Sequence, residues 1–295
     1  MNSARPSSPT GRRFARLALV LAVVALSGCS TVGGWFSGKD SGKKAAKPME
    51  LVAITPTLNV SQLWSTDVGA GEGRLGLRQG PVVDGGRVFA AAVAGGVYAL
   101  DLQTGKSVWH HDTKVKVSGG PGVGEGLVVV GGLEGEVIAL DEATGTEKWT
   151  AKVSNEVISA PTIAQGRVFV RTVDGRVTAF DAGTGERRWF WNRELPNLTA
   201  RGNDSVAAGP GVVFVGNDDG TVAMLAANDG RPLWELPIAQ PEGRNELERI
   251  ADVDGTPVLE GGALYATSLK HSTAAIDAPN GRPVWTAEHG GPGRP

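Results

Sequence analysis

Histidine pairs, clustered carboxylates and cysteines are the side chains that most often carry chemistry, and this 295-residue chain arranges few of them usefully. His110-His111 invites a metal reading, but adjacent residues of a strand point to opposite faces, so the pair chelates poorly. Asp252-Val253-Asp254-Gly255 matches part of a calcium loop, yet the full Asp-x-Asp-x-Asp-Gly spacing is absent. Asn217-Asp218-Asp219-Gly220 falls where the other repeats have a tight turn, and turn chemistry accounts for it. Neither a Gly-x-Ser-x-Gly nucleophile elbow nor a Walker-type phosphate loop occurs. The expectation is a chain without catalytic residues, metal ligands or cofactor.

The single cysteine, Cys29, excludes a disulfide framework and a multi-cysteine zinc site. Its context points to a different use. Arg12, Arg13 and Arg16 precede an apolar run from Leu17 to Leu26, too short to span a bilayer and suited to a secretory signal. Leu26-Ser27-Gly28-Cys29 resembles the bacterial lipobox, in which lipid is attached to the thiol and the chain is cut before it. Residues 1–28 are thus expected to be a lipoprotein signal, with Cys29 the lipidated residue. Acyl chains contribute about 0.8 kcal/mol per buried CH₂. By resemblance to Gram-negative lipoproteins, Ser30 in place of Asp implies the outer membrane. Residues 29–57, rich in Gly, Ser, Ala and Lys, read as a flexible tether. Past residue 50 the chain holds 21 basic and 29 acidic residues, which argues against nucleic acid as a partner.

The elements that carry everything else come from a repeat. Glycine, at 43 residues, is about twice its usual ~7 % share and is spread along the chain without a three-residue period. Five segments align without gaps: Leu100-Asp101 to Trp109, Leu140-Asp141 to Trp149, Phe180-Asp181 to Trp189, Leu225-Ala226 to Trp234, and Ile276-Asp277 to Trp285. Glycine always stands four residues before the tryptophan, and Asp eight before it except at Ala226. Each unit reads as four strands. An apolar strand opens it, often after proline (Pro81, Pro121, Pro161, Pro257). A glycine turn, a β-branched strand, a second turn and a third strand ending at the Asp follow, then a hairpin into the Trp strand. The Asp carboxylate is expected to accept backbone N–H bonds across that hairpin, and the glycine to take its left-handed position. Truncating one buried tryptophan should cost ~3–5 kcal/mol.

Four antiparallel strands per ~40 residues in tandem describe an all-β fold, a β-propeller, over residues 58–295. No Gly-His or Trp-Asp signature of WD40 blades is present, and the repeat resembles that of pyrroloquinoline-quinone-type (PQQ-like) propellers. A sixth tryptophan, Trp64, stands in a similar last-strand context with no blade before it. It is expected to complete a final blade, but five whole blades leave no sixth set of strands to receive it. The ring therefore reads as incomplete at its C-terminal end, short by roughly 100 residues if eight blades of ~40 form the whole.

The Trp-to-Trp spacings of 45, 40, 40, 45 and 51 put the surplus length between blades. Two neighbouring connections are expanded, residues 190–204 and 237–256. Equivalent connections of successive blades share one face of a propeller, so both should form one patch, and such insertions often mark a binding face. Apolar Leu198 and Ile250 beside Arg201, Arg249, Asp252 and Asp254 suit protein docking, with charges setting register.

The lipobox, the tether, the Trp64 strand, the repeat and Arg249-Ile250-Ala251-Asp252-Val253-Asp254-Gly255-Thr256-Pro257 together resemble the BamB family, propeller lipoproteins of the β-barrel assembly machinery. The similarity covers residues 12–285. It implies a non-enzymatic scaffold of the Bam complex, anchored on the periplasmic face of the outer membrane, that aids folding and insertion of outer-membrane β-barrels. It also implies docking on the POTRA domains of BamA through Leu198, Arg201, Asp252 and Asp254, with other Bam subunits and nascent outer-membrane chains as further partners. Ala200 stands where the family usually has a larger apolar residue. The family ring has eight blades, in line with the incomplete ring. Two rival readings stand beside this one. A quinoprotein dehydrogenase shares the repeat class but resembles larger rings with a vicinal cysteine pair and acidic calcium ligands. A generic envelope scaffold would use the same patch for another partner.

Overall fold

The computed structural model describes residues 55–69, 77, 79–202, 204–270, 272–291 and 293–295. The signal peptide, Cys29 and nearly all of the tether lie outside the described residues. Residues 55–60 are exposed and carry no regular secondary structure.

Among the described residues, twenty strands group into five four-stranded antiparallel sheets spanning 82–111, 117–152, 162–191, 207–237 and 258–287. In every sheet the strands pair in chain order, so each is a simple meander. The opening strands of neighbouring sheets touch one another, which brings them together on the inner side of the stack. These are five propeller blades. The boundaries follow the repeat, with one displacement: Pro121 lies inside the opening strand Val117–Gly124, where the register slips between Gly119 and Gly122, and does not precede it.

The core lies between blades, and the sequence of the strands explains why. In Arg167–Arg171 of the third blade, Val168 and Val170 pack with Leu127, Val129 and Trp149 of the second. Phe169, between them in sequence, packs with Val213, Val215 and Leu225 of the fourth. Both faces of the sheet are covered, so the strand reads as an unbroken apolar run instead of an alternating one. The same division links the first blade to the second and the fourth to the fifth.

The hairpin motif is a joint between blades. Asp101 Oδ1 accepts the backbone N–H groups of Gln103 and Thr104 and the Thr104 hydroxyl, and Asp141 and Asp181 repeat the pattern. Each tryptophan seats on the hairpin of the following blade, and its indole Nε1 donates to a backbone carbonyl there: Trp109 to Glu142, Trp149 to Ala182, Trp189 to Ala227, Trp234 to Ala278. Beneath each ring lies the repeat glycine. Gly185 has φ +73°, and a β-carbon built on it would stand 2.6 Å from Cδ2 of Trp149. Glycine is thus required twice, for the left-handed backbone and for the ring above it.

Trp64 obeys the same rule. It donates to the Leu102 carbonyl at 2.9 Å and covers Gly105, as the last strand of a preceding blade would, although residues 61–68 form no strand. At the other end of the described blades Trp285 is 46 % exposed.

Candidate functional site

Blade-to-blade connections leave from the end of the sheet where the second and third strands turn, and both expanded connections lie at that end. Connection 237–256 begins with Ala239 bonded to the Gly220 carbonyl and passes through a single helical turn, Glu246–Arg249, capped by Asn245, whose side chain accepts the Glu248 N–H. It then runs inward between the turns of the fourth and fifth blades. Val253 N–H donates to the Asn217 carbonyl at 3.0 Å, and Leu269 N–H to the Asp252 carbonyl at 2.8 Å. Val253 is buried with Phe214 and Leu264.

Connection 190–204 closes over this segment. The backbone N–H of Ala200 donates to Asp252 Oδ2 at 2.5 Å. Gly202 lies against Asp254 so closely that a β-carbon would stand 2.6 Å from its carboxylate. Asp204 Oδ2 accepts the Thr256 N–H at 3.2 Å. The stretches around Leu198 and Asp252 are therefore side by side, in one patch.

Their exposure differs from the expectation. Asp252 and Asp254 are 0 % and 1 % exposed, and Ile250 is buried as well. The connection threads inward, so these three side chains support the patch and do not form its surface. The outer surface consists of Leu195 and Leu198, both more than one-third exposed, with Ala200 partly buried, and of the exposed Arg201, Leu247 and Arg249. Arg201 pairs with Glu156 at 2.5 Å. Arg249 bonds the Gly243 carbonyl and pairs with Glu246 at 3.3 Å across its own helical turn.

Beneath the patch lies a cluster that sequence reasoning missed. Asp218 was expected to serve its turn, but Asp219 does that work by accepting the Thr221 N–H and hydroxyl. Asp218 instead points inward, 4 % exposed, and pairs with the buried Arg171 at 3.4 Å. Asp218, Asp252 and Asp254 each place a carboxylate oxygen within 4.8 Å of the other two. Burial, reinforced by the neighbouring Asp218 and Asp254 charges and opposed by the Ala200 N–H, pushes the Asp252 carboxyl up to about 7. Burial also pulls the Arg171 guanidinium below its ordinary value, against the attraction of Asp218, Asp254, Asp204 and Asp252. One signal for Arg171 was present in the sequence: the equivalent strand positions hold Ala91, Gly131, Gly216 and Thr267.

The histidine pair is occupied locally. His110 stacks on Tyr98 with ring centroids 4.1 Å apart, and its Nε2 lies 2.7 Å from the Gly95 carbonyl.

Comparison with known proteins shows which chains this one is similar to. Residues 93–295 match the family model described as outer membrane protein assembly factor BamB. The chain is 60 % identical to the protein of that name from Xanthomonas campestris, with 96 % of this chain and 72 % of the relative aligned. It is 47 % identical to that of Pseudomonas aeruginosa, over 94 % of this chain and 70 % of the relative. Among solved structures, BamB from Moraxella catarrhalis superposes with a TM-score of 0.68 at 25 % identity, covering 74 % of this chain and 67 % of that one. A quinohemoprotein alcohol dehydrogenase from Comamonas testosteroni, at 20 % identity and TM-score 0.56 over 72 % of this chain and 43 % of its own, shares the fold alone.

Proposed function

Because the chain belongs to the BamB family of outer membrane protein assembly factors, we propose that it is a non-enzymatic scaffold of the Bam complex that docks on the POTRA domains of BamA. The observation that carries this reading is the joining of the two expanded connections through Ala200 and Asp252. That junction holds exposed Leu198 and Arg201 on a rigid base, with Arg249 on the helical turn of the neighbouring connection. Apolar side chains ringed by arginines suit a protein partner, with the arginines able to pair with carboxylates in a defined register. Asp252 and Asp254 serve this reading as supports. They fix the loop that presents Leu198 and Arg201 and do not touch the partner themselves.

The rest of the assignment follows the same reading. Residues 1–28 direct export, and lipid on Cys29 anchors the chain to the periplasmic face of the outer membrane. The tether to residue 57 lets the propeller reach BamA and, through it, nascent β-barrel chains.

The test is binding of the full chain to isolated BamA POTRA domains, measured by titration calorimetry. Arg201→Glu and Leu198→Asp should each weaken Kd at least about tenfold, as loss of one interfacial anchor does, while circular dichroism stays unchanged. Wild-type affinity in both variants would remove this patch from the interface.

A further inference from the structure

The last strand of the third blade carries a group of side chains that the docking patch does not use. Arg187-Arg188-Trp189-Phe190-Trp191-Asn192-Arg193 packs three aromatic and three cationic residues into one short stretch. Trp189 turns inward and seats on the fourth blade, as the repeat requires. Phe190 points to the opposite face of the sheet and is 52 % exposed. The register brings Arg187 beside it. Phe190 lies opposite Thr178 and Arg187 opposite Phe180, because the ladder slips between Ala179 and Phe180. Residues two apart on a strand share a face, so the bulge swings Arg187 to the side of Phe190. Arg176, two residues before Thr178, joins them there. Its guanidinium carbon stands 4.8 Å from the centre of the Phe190 ring, and that of Arg187 stands 5.8 Å from it. Among the described residues neither of these two side chains makes an ion pair or a hydrogen bond, whereas Arg188 is held by Asp181 and Arg193 by Asp219 and Glu235.

Arg187–Trp191 is also an edge. Among the described residues it pairs with the third strand alone, so on its outer side alternate backbone N–H and C=O groups face away from the sheet. We propose that this edge takes up an acidic peptide in extended conformation, which adds to the third blade as a fifth strand. Strand addition draws affinity from main-chain hydrogen bonds and specificity from alternate side chains. Here an apolar side chain of the peptide lies across Phe190. Carboxylates two residues to either side, about 6.6 Å away along the strand, meet the two guanidinium groups that lack partners. Charges on an edge strand can serve only to repel other strands. That role does not call for an exposed phenylalanine between the charges. The other blades place His110, Thr150, Glu235 and Thr286 where Phe190 stands, and Ser107, Glu147, Pro232 and Pro283 where Arg187 stands. Among the five blades the combination is confined to the third.

The inference does not rest on the Bam reading, and its test uses the full chain alone. The peptide Thr-Glu-Thr-Val-Thr-Glu-Thr, amidated and labelled at its N-terminus with a fluorophore, is titrated with protein and followed by fluorescence anisotropy. It should bind saturably, and the same peptide with Lys for Glu at least about tenfold more weakly. Proline in place of threonine keeps the charge but removes N–H groups that a ladder needs, and should weaken binding by a similar factor. The double variant Arg176→Glu, Arg187→Glu and the single variant Phe190→Ser should each lose at least about tenfold in affinity with an unchanged circular dichroism spectrum. Arg282→Glu, an exposed change on the last strand of the fifth blade, should leave binding intact. No saturable binding of the acidic peptide up to about 1 mM overturns the proposal. Equal affinity for the proline peptide overturns strand addition, and unchanged affinity in the folded double variant overturns the site. An equal loss in Arg282→Glu reduces the effect to general charge. Vesicles of phosphatidylglycerol that bind through Arg176 and Arg187 when the peptide does not would make the partner a lipid surface and overturn the proposal as well.

Discussion

Replacing Gly185 by alanine tests the joint between blades, because the same blade supplies its own control. Gly185 and Gly166 have nearly equal backbone angles, φ +73° and +69°. Alanine at either pays the left-handed penalty of about 1–2 kcal/mol. The two differ in what lies above them. A β-carbon at Gly166 meets nothing within 4 Å, whereas at Gly185 it meets Cδ2 and Cε3 of Trp149 at 2.6 and 2.8 Å. Contacts that short force the ring away from the hairpin, lengthening the indole bond to the Ala182 carbonyl, which stands at 2.8 Å. Overpacking of this kind costs about 1–3 kcal/mol beyond the backbone term. Gly185→Ala should therefore lower stability by about 2–5 kcal/mol and Gly166→Ala by about 1–2 kcal/mol. In urea denaturation followed by tryptophan fluorescence, the first midpoint should fall well below the second. Equal midpoints would refute the claim that the tryptophan above, and not the turn alone, demands glycine.

Two further outcomes follow from the ion pairs. Arg171→Met breaks a buried ion pair with Asp218, a change that costs about 3–5 kcal/mol; adding Asp218→Leu should recover much of that loss, and a single variant as stable as wild type would show the pair to be dispensable. Asp181, held by the Arg188 guanidinium and then by its Thr184 hydrogen bonds, lies at about 2 against an ordinary 3.8. Its folded pKa is depressed, so its contribution is complete above about pH 4 and fades as pH falls toward 2. Carboxyl NMR titration should show that low midpoint, and Arg188→Ala should raise it; an unmoved midpoint would reject the arginine as the cause.

The blades were legible because every unit must solve the same mechanical problem. Asp eight and Gly four residues before Trp mark a hairpin, and the chain repeats it wherever one sheet meets the next. The direction of the contact was less visible. Nothing local to Trp149 reveals that its ring rests on Gly185, 36 positions on; Trp64 covers the repeat glycine Gly105 in the same way, 41 positions on. The lengths of the two connections bring them to one end of the blades, and the Ala200–Asp252 bond joins them there. Its depth was misjudged. Connections usually run over the surface, but Ile250, Asp252 and Asp254 turn inward because the segment lies between two blades. Asp218 was hidden by a turn motif that a neighbouring aspartate satisfies, and Arg171 by a strand that otherwise looks ordinary. Only lining up the five units exposes the arginine as out of place.

The joint described for Trp149 has a consequence for how such chains grow. Each repeat carries a ring to place on its successor and a bare glycine to receive the ring of its predecessor. A duplicated stretch of some forty residues, inserted in frame, arrives with both halves of the fastening already matched, since the donor and acceptor surfaces are copies of those on either side. Gaining or losing a unit then requires no new interface to be invented, and selection is left to act on the connecting segments, where this chain keeps its individual features.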